Sequence, residues 1–290
     1  MITRPRRSVL YMPGANARAL EKARTLAADA LVLDLEDSVA PAAKAQARDL
    51  VCEAVRARAY PGRETVVRIN GFDTPWGADD VRAACAAGAD AILVPKIMGA
   101  ADALDAHARM DAAGAPPAMG LWLMMETPRA VLDAGAIAGA RSQAPRLGAF
   151  VIGANDLAKE TRVRLAPGRA ALLPWLMQIL LAARAHGLDV IDAVYNDHAD
   201  LAGFAAECAQ GRDLGMDGKS LIHPAQIAPC NDAFTPSPEE IAWARAVVAA
   251  FESPENAGVG VISMDGRMVE RLHADMARRT LAAATAGDQS

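Results

Sequence analysis

Apolar runs of strand length that stop abruptly at a carboxylate constrain this chain more than any other feature. The clearest is Gly120-Leu-Trp-Leu-Met-Met-Glu126-Thr127-Pro128. A proline there is pre-organised for the first turn of a helix, so Glu126 is expected at the carboxyl end of a buried strand. The same grammar recurs over residues 149–156, which end in Asn155-Asp156, and over 30–37, where an apolar run meets Asp34-Leu-Glu36-Asp37. Three strand ends that finish in acids look like oxygen ligands for a hard cation rather than core.

Apolar runs at residues 9–12, 30–35, 65–69, 91–94, 120–125, 149–152, 189–192 and 215–220 read as eight strands, with helical patterns between them. Asn16 is placed to cap the first helix, expected to run to about residue 28. Eight such units in 290 residues imply a parallel (β/α)8 TIM barrel over residues 1–234. An open doubly wound sheet is the runner-up, weakened because no G-x-G-x-x-G follows the first strand. Asp34, Glu36, Asp37, Arg68, Asn70, Lys96, Glu126, Asp156, Asp192 and His223 all fall at or just beyond strand C-termini. That is the face on which a barrel of this kind carries its chemistry.

From residue 235 the pattern changes. A capping box from Ser237 to Glu240 opens a helix, Asp265-Gly266 marks a hairpin turn, and a last helix covers about 269–284. This small helical and hairpin extension, residues 235–290, is expected to lack a core of its own and to pack on the barrel or on a neighbouring subunit. Residues 285–290 are expected to be disordered.

The net charge of −5, with acids and bases interspersed, leaves no electrostatic footprint for nucleic acid. The longest apolar runs are strand length, so no membrane span is expected, and Pro13-Gly14 interrupts the apolar run that a signal peptide would need. Cys52, Cys85, Cys208 and Cys230 form no C-x-x-C, and a reducing, cytoplasmic setting is the default expectation.

The motifs Arg7-Ser-Val-Leu-Tyr-Met-Pro-Gly14, Leu33-Asp-Leu-Glu-Asp-Ser-Val-Ala-Pro41, Val67-Arg-Ile-Asn70, Val94-Pro-Lys96, Met125-Glu-Thr-Pro128, Ile191-Asp-Ala-Val-Tyr-Asn-Asp197 and Gly215-Met-Asp-Gly-Lys-Ser-Leu-Ile-His-Pro-Ala-Gln226 span most of the chain in order. Together they resemble the citrate lyase β-subunit family, which includes malyl-CoA and citramalyl-CoA lyases. The resemblance implies a trimeric or hexameric enzyme that cleaves a β-hydroxyacyl-CoA thioester into acyl-CoA and a 2-oxo acid. It implies Mg2+, with Mn2+ as a substitute, on Glu126 and Asp156, and Glu36 and Asp37 holding waters around the metal. Such a cation needs only one or two protein carboxylates, since water and substrate oxygens complete its shell.

The resemblance also gives Arg68 to the 2-oxo acid and the enolate oxygen, and Lys22, with Tyr11 and Arg18, to the phosphates of coenzyme A. Lys96 is expected to stay protonated among acids rather than act as a Schiff-base nucleophile. The family often has Glu where this chain has Met98, which would deprive Arg68 or Lys96 of a partner. His223 reads as a structural corner. Asp265 is fully explained by its turn, yet its segment resembles one in which an aspartate reaches a neighbour's barrel as acid/base. Two further readings stay open: hydrolysis of the same thioesters, and action on an acyl-carrier protein within a citrate lyase complex.

Overall fold

The computed structural model describes residues 4–287. Eight parallel strands close into a barrel: β1 (Ser8–Pro13), β2 (Ala30–Asp34), β3 (Glu64–Arg68), β4 (Ala91–Val94), β5 (Gly120–Met125), β6 (Leu147–Ile152), β7 (Asp189–Asp192) and β8 (Gly218–Leu221). The strands are apolar on both faces because both are covered. Val32, Val66, Leu93, Trp122, Met124 and Val151 fill the interior. Leu31, Leu33, Ile92, Leu123 and Phe150 belong to a separate outer layer under the helices. The expected alternation therefore holds, and the open sheet does not.

The N-terminal end of the barrel is plugged. Arg6 pairs with Glu64 at 2.7 Å and with Asp189, and its guanidinium lies 4.7 Å from the Trp122 ring centre. Burial works against its charge, but these two acids more than offset it and raise its pKa. With that end closed, only the C-terminal mouth is left to admit a ligand.

Several boundaries differ from expectation. Asn16 does cap the first helix, accepting from Ala19 N at 3.1 Å, but that helix covers Ala17–Lys22 and tightens into a 3-10 turn that ends at Thr25. β8 starts at Gly218 rather than 215, because Gly215, at φ +97°, terminates the helix Leu201–Leu214. The final helix, Arg271–Gly287, includes residues 285–287, which were expected to be disordered. Residues 288–290 of that expectation lie outside the described residues.

The extension differs more. Helix Pro238–Glu252 opens with the expected capping box, and β9 (Val261–Met264) pairs antiparallel with β10 (Arg267–Glu270). Contrary to expectation it has an apolar cluster of its own. Ala244, Val247, Phe251, Val269, Ala274 and Ala277 are buried together, backed by Trp243 and Ile262. The two flanking helices supply small residues that allow close approach, so even about fifty residues can bury a core. An ion pair between Arg212 and Glu240 links the extension to a barrel helix. No helix among the described residues is long and apolar enough to cross a membrane.

Closure of the barrel tests this arrangement. Lys219 N donates to Arg7 O at 2.9 Å, and a Cβ added at Gly218 would lie 1.8 Å from Arg6 O and 2.6 Å from Arg7 O. Gly218→Ala must therefore push β8 away from the entry to β1. We expect a loss of about 3 kcal/mol or more, the upper end of overpacking costs, read as a lower urea midpoint. An unchanged midpoint would show that the seam is loose.

Candidate active site

At the C-terminal mouth a cavity of about 440 Å3 is lined by Tyr11, Asp34, Asp37, Arg68, Met124, Glu126, Gly153, Asp156, Asn196 and Ser220, among others. Its organising contact joins two adjacent strand ends in register, Asp34 of β2 and Arg68 of β3. Arg68 Nε and Nη2 donate to the two oxygens of Asp34, each at 2.7 Å. The same oxygens accept from Glu36 N at 2.8 Å and Ser38 N at 3.0 Å, so Asp34 also shapes the loop that carries Glu36 and Asp37. Arg68 Nη1 lies 2.8 Å from Glu36 Oε2 and 3.7 Å from Asp37 Oδ2, and the guanidinium stacks 5.1 Å from the Tyr11 ring centre. Burial opposes both charges, but the pair outweighs it: Arg68 is raised and Asp34 lowered. The sequence puts Asp34 at a strand end without revealing its role. The signal was there, since paired strands that end in Asp and Arg place the two ends side by side.

Opposite lies Glu126, next after β5 and 1% exposed. Its Oε1 accepts from Lys96 N at 2.7 Å, while its Oε2 is buried with no hydrogen-bond partner among the described residues. Gly153 makes room for it, since a Cβ there would lie 2.4 Å from Glu126 Cβ. Thr127 caps the helix Pro128–Leu132, so the chain turns out of the sheet as expected. Asp156 stands in the first turn of helix Ala154–Thr161, where the helix dipole favours an anion. Lys96 Nζ lies between the two acids, 2.8 Å from Asp156 and 3.6 Å from Glu126. Burial works against the Lys96 charge, but Asp156 and Glu126 offset it and raise its pKa.

The mouth is short of positive charge. Burial raises Glu126 and pushes Glu36 up to about 7; at Glu36 the Arg68 charge opposes the rise, while Asp37 and Glu126 add repulsion. A buried carboxylate with a free oxygen beside a second carboxylate is a donor set that fits a hard divalent cation. Among the described residues no three His, Cys, Asp or Glu side chains cluster as a metal cage. Mg2+ does not require one.

The fold thus brings together Tyr11, Glu36, Asp37, Arg68, Glu126 and Asp156. Tyr11 belongs to the cavity wall, with its hydroxyl 3.4 Å from Met124 Sδ. Arg18 and Lys22 do not line the cavity. Both are exposed on the first helix, with no ion pair among the described residues. Asp265 does not line this chain's cavity either; it is exposed at the β9–β10 turn, at φ +49° beside Gly266 at +73°. Met98 is half exposed, and Arg68 and Lys96 have acidic partners without a side chain from that position.

A family model described as HpcH/HpaI aldolase/citrate lyase matches residues 7–224. A (3S)-malyl-CoA thioesterase of Cereibacter sphaeroides is 51% identical over 282 residues, 97% of this chain and 95% of that one. Citrate lyase subunit beta of Escherichia coli is 39% identical, covering 97% of this chain and 94% of that one. Protein CitE of Mycobacterium tuberculosis, solved with magnesium, acetoacetate and coenzyme A, superposes with a TM-score of 0.78 at 31% identity. That match covers 98% of this chain and 99% of that one.

The state of Glu36 has a measurable consequence. Between about pH 4.5 and 7 the metal-free folded protein keeps a proton on Glu36 that the unfolded chain has lost. Stability then falls as pH rises through that window. Glu36→Gln should remove up to about 3 kcal/mol of this decline. Chemical denaturation in chelator at pH 5 and pH 7.5 checks it. Equal slopes in the two proteins would mean that Glu36 is ionised throughout.

Proposed function

The chain belongs to the HpcH/HpaI aldolase/citrate lyase family, and from that premise we propose that it is a carbon–carbon lyase of malyl-CoA- or citramalyl-CoA-type thioesters. The observation that carries this reading is the pairing, within one cavity, of a buried half-free Glu126 beside Asp156 with a pre-oriented Arg68. Glu126 and Asp156 would hold Mg2+, or Mn2+ in its place, which when bound supplies Lewis acidity to the oxygen that gains charge as the carbon–carbon bond breaks.

The protein's own groups do the rest. Arg68 binds the carboxylate and carbonyl of the 2-oxo acid half, and because Asp34 already fixes its fork, little ordering remains to be done on binding. Glu36 and Asp37 would hold waters around that cation. Arg18 and Lys22 are unpaired cations suited to the phosphates of coenzyme A, with Tyr11 on the inner side.

The substrate hydroxyl gives its proton to water in the cavity, and the O–H electron pair becomes the carbonyl of the 2-oxo acid as the adjacent carbon–carbon bond breaks. The pair from that bond passes into the thioester enolate, whose carbon then takes up a proton. We assign that last proton to the Asp265 carboxyl of a second copy. Met268, Leu272 and Met276 are at least half exposed near this hairpin, as expected of a face covered in a homotrimer or hexamer. The four cysteines are all free and buried, in keeping with a cytoplasmic enzyme.

Hydrolysis is a second reading, favoured by the high identity to proteins named malyl-CoA thioesterase. Malyl-CoA incubated with the protein and Mg2+ separates the two. Acetyl-CoA with glyoxylate supports the lyase, whereas malate with free CoA thiol supports the hydrolase. Turnover only of a thioester on a carrier protein would place the chain in a citrate lyase complex instead.

Glu126→Gln and Asp156→Asn should each lower kcat by at least about 1,000-fold with the fold intact, since one carboxylate holds Mg2+ too weakly. Full turnover of either at limiting Mg2+ would remove the metal assignment. Arg68→Lys should not restore activity, because a point charge lacks the bidentate fork. For Asp265, the test mixes Asp265→Asn with Glu126→Gln under conditions of subunit exchange. Partial recovery of activity is expected, and a fully active Asp265→Asn protein alone would reduce the residue to its turn.

A further inference from the structure

Ser220 of β8 lines the cavity, is 1% exposed, and its Oγ has no hydrogen-bond partner among the described residues. A buried hydroxyl without a partner is costly, so its retention calls for an explanation. Strand geometry shows where it points. Its neighbour Lys219 faces outward, where it reaches Glu207 of the helix Leu201–Leu214 at 2.7 Å, Asp192 at 3.1 Å and Ala193 O at 2.6 Å. Successive side chains alternate across a strand, so Ser220 faces into the barrel.

The register agrees: Ser220 pairs with Val9 of β1, which belongs to the barrel interior. The hydroxyl therefore lies on the inner face of β8, in the wall of the same cavity as Glu126 and Arg68. Lys219 is wholly buried, and Asp192 is held by Arg169 Nη1 at 2.7 and 2.8 Å. This anchoring on the outer face fixes the direction of Ser220 before any ligand arrives.

We propose that Ser220 is a substrate-contacting, specificity-determining residue whose Oγ–H donates to a carboxylate oxygen of the 2-oxo acid half. The inference rests on the function proposed above. It gives a role to a cavity-lining hydroxyl that has no partner among the described residues: a carboxylate completes its hydrogen bonding, and an acid lacking that oxygen forfeits the bond. A hydrogen bond to a charged group of this kind is worth roughly 10- to 100-fold in affinity.

The test compares wild type, Ser220→Ala and Ser220→Thr in Mg2+ buffer by two measurements, the Tm shift produced by glyoxylate and kcat/KM for malyl-CoA. Ser220→Ala should keep or raise Tm without ligand, since it removes an unpaired buried hydroxyl. It should also lose most of the glyoxylate shift and roughly 10- to 100-fold in kcat/KM. Ser220→Thr, which keeps the hydroxyl, should retain the glyoxylate shift.

A Ser220→Ala protein with lower Tm assigns the residue to the scaffold, and one with an unchanged glyoxylate shift shows no contact; either overturns the proposal. If wild type turns over no thioester, the proposed activity falls, while the glyoxylate shift still decides Ser220. A wild type that glyoxylate does not stabilise overturns the Ser220 contact and leaves the activity to the turnover measurement.

Discussion

The ion pair between Asp34 and Arg68 governs the whole mouth of the barrel. Two charges that are each under a tenth exposed are stable only because the fork geometry is good and the remaining Asp34 lone pairs are filled by backbone N–H groups. Its function is to orient as well as to stabilise. Asp34 fixes the plane of the guanidinium and, through Glu36 N and Ser38 N, the loop that supplies the next acids. One carboxylate thereby sets both the direction of the Arg68 guanidinium and the field around it.

That field is deliberately unbalanced. Among the described residues Asp34, Glu36, Asp37, Glu126 and Asp156 gather around Arg68 and Lys96, so five carboxyl groups face two cations. Burial has already taken water away from Glu36 and Glu126, and the protein's own cations do not make up the difference. On the function proposed above, this imbalance would favour binding of a cation together with an anionic substrate. The Lys96 ammonium lies between Glu126 and Asp156, 3.6 Å from one and 2.8 Å from the other.

Paired and unpartnered polar groups occupy opposite ends of the fold. Arg6, Glu64, Asp189 and Trp122 close the N-terminal end with paired charges and an aromatic face. At the other end, Glu126 Oε2 and Ser220 Oγ are left without partners. Unsatisfied groups of this kind are tolerated where a ligand completes them, and the outer-face anchoring through Lys219 and Asp192 keeps the strand ends in place meanwhile.

Local order determined much of what the molecule is. Apolar runs of strand length that stop at Asp34, Glu126 and Asp156 were legible because a strand buried on both faces must be apolar throughout and can turn polar only where it leaves the sheet. The Asn16 cap, the Ser237 capping box and the Asp265-Gly266 turn were legible for the same reason, each being decided within a few residues. What adjacency in the chain could not encode was decided by the tertiary structure. The role of Asp34, the solitary state of Ser220 Oγ and the small core of the extension all depend on residues brought together from distant positions. Whether a polar atom finds a partner depends on barrel closure and register, which place Arg68 beside Asp34 and leave Ser220 facing an open cavity.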